Sequence, residues 1–423
     1  MTATGRPRLH FTATRGWIND PLGLTHHDGR YHLFFQAVPG STTWATEQHW
    51  GHATSPDLLH WTPAGTALSP GDGDDGVWSG SIAVPDDGPA ALFYTSARHP
   101  DTHLGHTRVA RPDDVSWRTW TKGRVVVTPP VDMDLLALRD PFVTHDGTSW
   151  LMLLGAGLRD GTATALAYRS TDLHTWAYDG PLAERHSSLT EPWTGEMWEC
   201  PQLFRAGGRW VLLVSAWSPR GPGHEAYAVG DLVGGRFVAD TWHRLTYGDS
   251  LYAGAHFRDA AGAPGLVHWL RGVTDPGGRW AGAHSLPHAV DAVGDRLVVR
   301  PHPAVTAARD GAVTVGARGT VALAATTDLE WTLDRPGATA SLDVSGDGGP
   351  TLRLEAADGR LVVGAPGLTA AMPIHSGRAR VVLDGPVVEV VGDEGVLAVT
   401  VPGLTPRTCR VDGSAAVEAY PLA

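Results

Sequence analysis

The chain has 423 residues, 42% hydrophobic and 18% charged, so a sizeable packed core is expected and intrinsic disorder is not. Its formal net charge is -12 with no basic block, which argues against nucleic acid and anionic membrane surfaces as partners. Cys200 and Cys409 are too far apart for a disulfide framework or a metal-ligand spacing, and no run of about 18 apolar residues is present to span a membrane.

The first residues, Met1 to Phe11, lack the apolar core of a signal peptide, so a cytoplasmic location is expected. A repeat follows. Five segments place a glycine before an apolar, mostly aromatic run: Gly29 to Phe35, Gly88 to Tyr94, Gly147 to Leu153, Gly208 to Val214 and Gly265 to Leu270. Successive glycines are 59, 59, 61 and 57 residues apart. A second marker pairs an aspartate with a tryptophan four residues on: Asp57 with Trp61, Asp113 with Trp117, Asp172 with Trp176. Asp231 continues the series without its tryptophan. Hairpin turns are expected at Asp28-Gly29, Asp146-Gly147 and Gly207-Gly208, and helical periodicity is nearly absent. A period this long with short strands predicts an all-β, five-bladed β-propeller over residues 1–303.

After Pro301 tryptophan almost disappears, leaving Trp331. Alternating runs such as Ala379 to Asp384 and Val387 to Val391 continue, with frequent turns. This predicts a C-terminal β-sandwich over residues 304–423, covering one side of the propeller.

Three acids occupy matching places in the repeat. Asp20 lies 9 residues before Gly29, Asp140 lies 7 before Gly147, and Glu199 lies 9 before Gly208. The same step in the second repeat reaches Ser79. Innermost propeller strands line the axis, so these carboxylates should converge there. A lone aspartate before proline is an ordinary turn residue; three acids at one phase of a repeat point to a site. Paired carboxylates are the working parts of glycosidases, one protonated and one ionised. The weakly polar neighbours Trp198 and Cys200 should favour protonation of Glu199, and Arg139 should keep Asp140 ionised.

At these residues the chain resembles glycoside hydrolase family 32, the invertase, inulinase and levanase group. Trp17-Ile18-Asn19-Asp20-Pro21, Arg139-Asp140-Pro141 and Trp198-Glu199-Cys200-Pro201 are similar to its three signature motifs. Trp78-Ser79-Gly80-Ser81 and the stretch Leu383 to Val391 also match. The resemblance implies a retaining β-fructofuranosidase-type hydrolase acting on a small fructose-containing saccharide. Asp20 would be the nucleophile, Glu199 the acid/base and Asp140 the transition-state stabiliser, with Arg139 beside it. Asn19, Gln36, Trp44, Trp78 and Ser79 would shape the fructose pocket, and Trp269 would add a wall. No cofactor or metal is implied; His26-His27, His49/His52 and His103/His106 read as loop histidines. Leu22, Gln202, Ser250, Leu251 and His288 depart from the family pattern, which puts the leaving-group side in question. Fructosyl transfer on the same fold, or sugar binding without catalysis, are the alternatives.

Overall fold

The computed structural model describes residues 5–315, 318–346 and 348–423. The described residues form an almost all-β chain with one short helix, Pro303–Ala307. None of their helices is long and apolar enough to cross a membrane.

Three four-stranded antiparallel sheets span Gly76–Val127, Leu135–His186 and Met197–Arg244. A fourth sheet of nine strands joins the beginning of the chain to residues 251–301. It contains two four-stranded antiparallel groups. One comprises Gly16–His27, Arg30–Val38, His49–Ser55 and Thr62–Leu68. The other comprises Leu251–Arg258, Pro264–Thr274, His288–Val293 and Arg296–Pro301. An extra strand, Trp280–His284, bridges them by pairing in parallel with Gly16 and Trp17. This join was not legible in the repeat, because it adds a strand to the last block instead of repeating one.

The first strand of each block packs against the first strand of the next. The Asp20 strand (Gly16–His27) contacts the Ser79 strand (Gly76–Ala83), which contacts the Asp140 strand (Leu135–His145). That strand contacts the Glu199 strand (Met197–Ala206), which contacts the Tyr252 strand (Leu251–Arg258). The Tyr252 strand returns to contact the Asp20 strand. Apolar clusters fill the spaces between neighbouring sheets. Phe34, Trp50, Leu92 and Tyr94 lie between the first two blocks, and Phe142, Leu153, Leu203 and Leu212 between the third and fourth.

The turn chemistry explains some of the markers and corrects others. Asp28 and Gly29 both have positive φ, +47° and +72°, the geometry of a two-residue hairpin turn matched to strand twist. Gly207 and Gly208 do the same. Asp146-Gly147 instead belongs to a longer loop, in which Asp146 Oδ1 accepts the N–H groups of Thr148 and Ser149 at 2.8 and 3.0 Å. Gly265 is not a turn residue: it lies within a strand, where a Cβ would meet the Phe257 ring.

Asp57 accepts the N–H groups of Leu59 and His60 at 3.0 and 2.8 Å, Leu58 takes φ +72°, and Trp61 Nε1 donates to Leu58 O. Asp172 and Leu173 repeat the turn. In the second block, however, Trp117 occupies the positive-φ position and Trp120 Nε1 donates to its carbonyl. Trp120 is thus the counterpart of Trp61, and the Asp113–Trp117 spacing is coincidental. Asp231 sits within a strand and pairs with Arg209.

Beyond the helix, two sheets share one core. A seven-stranded sheet carries Thr326–Leu333, Arg378–Asp384, Val387–Gly392 and Ala415–Pro421, and borrows the short strand Thr246–Tyr247 at its edge. A six-stranded sheet carries Ala340–Gly346, Leu352–Ala357 and Pro406–Gly413. Leu329, Trp331, Leu342, Leu354, Val381 and Val411 face inward, as strand alternation dictates. Val387, Val391, Val396 and Ala398 pack instead with Leu251, Leu266 and Trp280 of the preceding region.

Candidate active site

Each of the five first strands loses its pairing register at one level. The irregularities fall between Ile18 and Pro21, Trp78 and Gly80, Arg139 and Phe142, Glu199 and Gln202, and Tyr252 and Ala255. A β-bulge leaves residues unpaired and re-aims their side chains. The sequence favours one here because Pro21, Pro141 and Pro201 have no N–H for the ladder. Asp140, Cys200 and Ala253 take positive φ, +62°, +44° and +53°. Successive strand residues ordinarily point to opposite faces, so these kinks let Arg139 and Asp140 line the same cavity.

That cavity is about 370 Å³, within the usual range for a small-ligand site. Asn19, Asp20, Gln36, Trp44, Trp78, Arg139, Asp140, Glu199 and Trp269 all line it. Ser79 stands behind the wall, 1% exposed, and hydrogen-bonds Asp20 Oδ2. It supports a carboxylate where a pocket-shaping role was expected.

Asp20 is held by neutral donors. Asn19 Nδ2 donates to Oδ1 at 3.0 Å, and Gln36 Nε2 donates to Oδ2 at 3.2 Å along with Ser79. Trp17 Nε1 fixes Asn19 in turn, at 2.9 Å. Cys200 ties two acids together: its Sγ is 3.6 Å from Asp20 Oδ2 and 3.7 Å from Asp140 Oδ2, and its N–H donates to Asp140 Oδ2 at 3.0 Å. The Asp140 N–H donates to Thr95 Oγ1, whose hydroxyl donates to Ser79 O.

Glu199 is held differently. Arg139 donates to Oε1 from Nη2 at 2.8 Å and from Nε at 3.1 Å, and Tyr252 donates to Oε2 at 2.7 Å. Trp198 points away, fully buried among the sheets with its ring 5.2 Å from that of Trp242. The expected apolar setting from this neighbour is therefore absent.

Burial pushes the Asp20 carboxyl up to about 6, against the pull of Ser79, with the Glu199 charge adding to the rise. Burial also raises Asp140, and it outweighs the opposing charge of Arg139. The expectation that Arg139 keeps Asp140 ionised is corrected: its guanidinium turns to Glu199 and stands 3.9 Å from Asp140. Burial and the surrounding carboxylates raise the Cys200 thiol, so it remains a donor.

Trp17, His103, Trp217, Pro222 and Tyr252 complete the lining and were not assigned from sequence. Arg139 lies 4.9 Å over the Trp217 ring, and the His103 ring lies 5.8 Å from it, tilted by 47°. Trp17 meets Trp269 edge-on at 5.6 Å, and the half-exposed Trp44 meets Trp78 at 5.8 Å. Trp17 stood within a recognised motif; Trp217 carried no signal, because it lies on the second strand of its block.

The departures from the family pattern fall outside the lining. Leu22 is core between the first two blocks, Leu251 is core, and His288 meets Glu389 at 3.2 Å. Gln202 Oε1 accepts from the His256 N–H at 3.1 Å, and Ser250 O accepts from the Arg271 N–H. Among the described residues, no group of three or more His, Cys, Asp or Glu is arranged to hold a metal.

The sequence model of the glycosyl hydrolases family 32 N-terminal domain matches residues 10–301. Raffinose invertase of Escherichia coli is 34% identical over 70% of this chain and 65% of its own length. Sucrose-6-phosphate hydrolase of Zymomonas mobilis is 32% identical over 70% and 61%. The chain thus spans less than two thirds of these curated relatives. Among solved structures, a Bombyx mori GH32 β-fructofuranosidase superposes with a TM-score of 0.86 at 25% identity, covering 100% of this chain and 95% of that one. Taken with the bulged strands and their three carboxylates, these similarities establish that the chain belongs to glycosyl hydrolases family 32.

Proposed function

We propose that the chain is a retaining glycoside hydrolase that releases fructose from a β-fructofuranoside by double displacement. The observation that carries this reading is the shared cavity of Asp20 and Glu199, with Cys200 bridging to Asp20 from the residue next to Glu199. The names of the relatives, raffinose invertase and sucrose-6-phosphate hydrolase, support the substrate class, as does the Bombyx mori relative solved as a mutant with sucrose.

In this mechanism Asp20, ionised, attacks the anomeric carbon of a fructofuranosyl unit. Glu199 passes a proton to the departing oxygen, then takes one from the water that releases fructose. Retention needs the two carboxyls about 5–5.5 Å apart. Asn19, Gln36 and Ser79 orient the nucleophile without neutralising it, since none carries charge. Asp140, fixed by the Cys200 N–H, faces the ring hydroxyls and the positive charge that develops on the sugar. Trp17, Trp44, Trp78 and Trp269 offer flat apolar faces to the sugar.

We also read the architecture as a five-bladed propeller over residues 1–303 and a β-sandwich over 304–423. The closed circuit of contacts among the five first strands supports the former, and the two sheets with one apolar core support the latter.

The test is a panel of sucrose, 1-kestose, inulin and levan with products resolved by chromatography, run on wild type, Asp20→Ala and Glu199→Gln. Fructose release by wild type, reduced by orders of magnitude in Asp20→Ala, is expected. Near-normal turnover by Asp20→Ala removes the nucleophile assignment.

A further inference from the structure

Two strands out from the acid/base residue lies a fully buried carboxylate–imidazole contact that the mechanism above does not use. Glu225 Oε2 is 2.7 Å from His268 Nδ1, and both side chains are 0% exposed. Burying polar side chains is costly unless their atoms find partners. The pair sits where it can set geometry. The bulge in the Tyr252 strand leaves Gly254 out of the ladder, and Glu225 Oε1 accepts the freed Gly254 N–H. Ser215 Oγ donates to the same oxygen at 3.4 Å, and the Glu225 N–H donates to Thr246 Oγ1 at 2.9 Å.

Gly254 has no room to be anything else. A Cβ there would stand 2.7 Å from Glu225 Oε1 and 3.0 Å from His268 Nδ1. Ala253, between Gly254 and Tyr252, takes φ +53°, a shape an alanine holds only when its surroundings impose it. Two residues before Gly254, the Tyr252 hydroxyl meets Glu199 Oε2 at 2.7 Å and lies 3.1 Å from Ala216 O. His268 is braced from its other side. Its backbone N–H donates to Ser285 Oγ at 2.9 Å, and its ring lies 5.5 Å from that of His288, which reaches Glu389 on the seven-stranded sheet.

We propose that Glu225 and His268 are positioning residues for Glu199: by holding the Gly254 bulge they aim the Tyr252 hydroxyl at the carboxylate that transfers the proton. This inference rests on the acid/base reading of Glu199. Neither residue lines the cavity, so each acts through Tyr252.

The experiment compares kcat on sucrose with kcat on an activated aryl fructoside, for Glu225→Ala, Glu225→Gln, His268→Leu, Tyr252→Phe and Glu199→Gln. A good leaving group needs little protonation, so a misplaced acid costs the sucrose reaction selectively. A displacement of about 1 Å at the acid is worth about 10²-fold. The ratio of the two kcat values in Glu225→Ala, His268→Leu and Tyr252→Phe should therefore fall by about that factor, while KM changes less. Glu225→Gln keeps an oxygen for the Gly254 N–H and should restore most of the ratio. The ratio is independent of how much enzyme is folded, so partial misfolding does not obscure it. An unchanged ratio in Glu225→Ala, alongside a collapsed ratio in Glu199→Gln, overturns the positioning role alone. An unchanged ratio in Glu199→Gln overturns the acid/base reading itself.

Discussion

Replacing Asp20 by Asn should stabilise the fold, and do so only above the acid range. Burial raises the folded-state value of Asp20 from 3.8 to about 6. In the window between those values the folded protein holds a proton that the unfolded chain has lost. Stability contributed by that proton is present at low pH and declines as pH rises through about 6. Between about pH 4.5 and pH 7.5 the linkage amounts to about 2 kcal/mol at most. Asp20 keeps some solvent contact at the cavity wall, and screening reduces this to about 1 kcal/mol. For a chain of this length that is a shift of about 1–2 °C in melting temperature. The hydrogen bonds altered by the amide give an offset independent of pH, which cancels when the two pH values are compared. Scanning calorimetry on both proteins across this range should show Asp20→Asn gaining on wild type as pH rises. Parallel curves would refute the claim that the Asp20 carboxylate is held against its own desolvation.

The same raised value predicts that kcat/KM falls on acidification with an inflection near 6, because the attack proposed for Asp20 needs an ionised carboxylate; an acid limb near 4 in a pH–rate profile contradicts this. His10, buried against Asp384 at 2.8 Å and Glu389 at 3.0 Å, is raised to about 9 by those acids against the opposing effect of burial. Its contribution is full below about 6.5 and is lost as pH rises through about 9, so wild type should lose melting temperature there. His10→Gln should start lower and lose less. Trp198→Ala, which empties a fully buried site, should cost about 3–5 kcal/mol in chemical denaturation, and a cost under about 1 kcal/mol would mean the cluster collapses to fill the space.

The three acids were legible because each sits near one phase of a repeat, with a proline one or two residues on, and that phase turns out to be the level of the bulges. What the acids do to one another was not legible. Arg139 follows Leu138 and precedes Asp140, yet its guanidinium serves Glu199, sixty residues on, because the bulge swings both side chains to one face. Trp198 adjoins Glu199 but, by strand alternation, faces the core. Tyr252 and Trp217 reach the cavity from strands that bear no acid, so no repeat phase marked them. The all-β class followed from the short strands and turns, whereas the turn that Trp120 completes was hidden by the chance placement of Asp113 four residues before Trp117.

The most direct test of the account is to catch the covalent intermediate. Glu199→Gln, mixed with an aryl fructoside and quenched in acid, should accumulate enzyme heavier by one fructosyl unit, and proteolysis should place that mass on the peptide containing Asp20. A label on a peptide containing Asp140, or inversion at the anomeric carbon in wild-type product with no adduct formed, would contradict double displacement through Asp20.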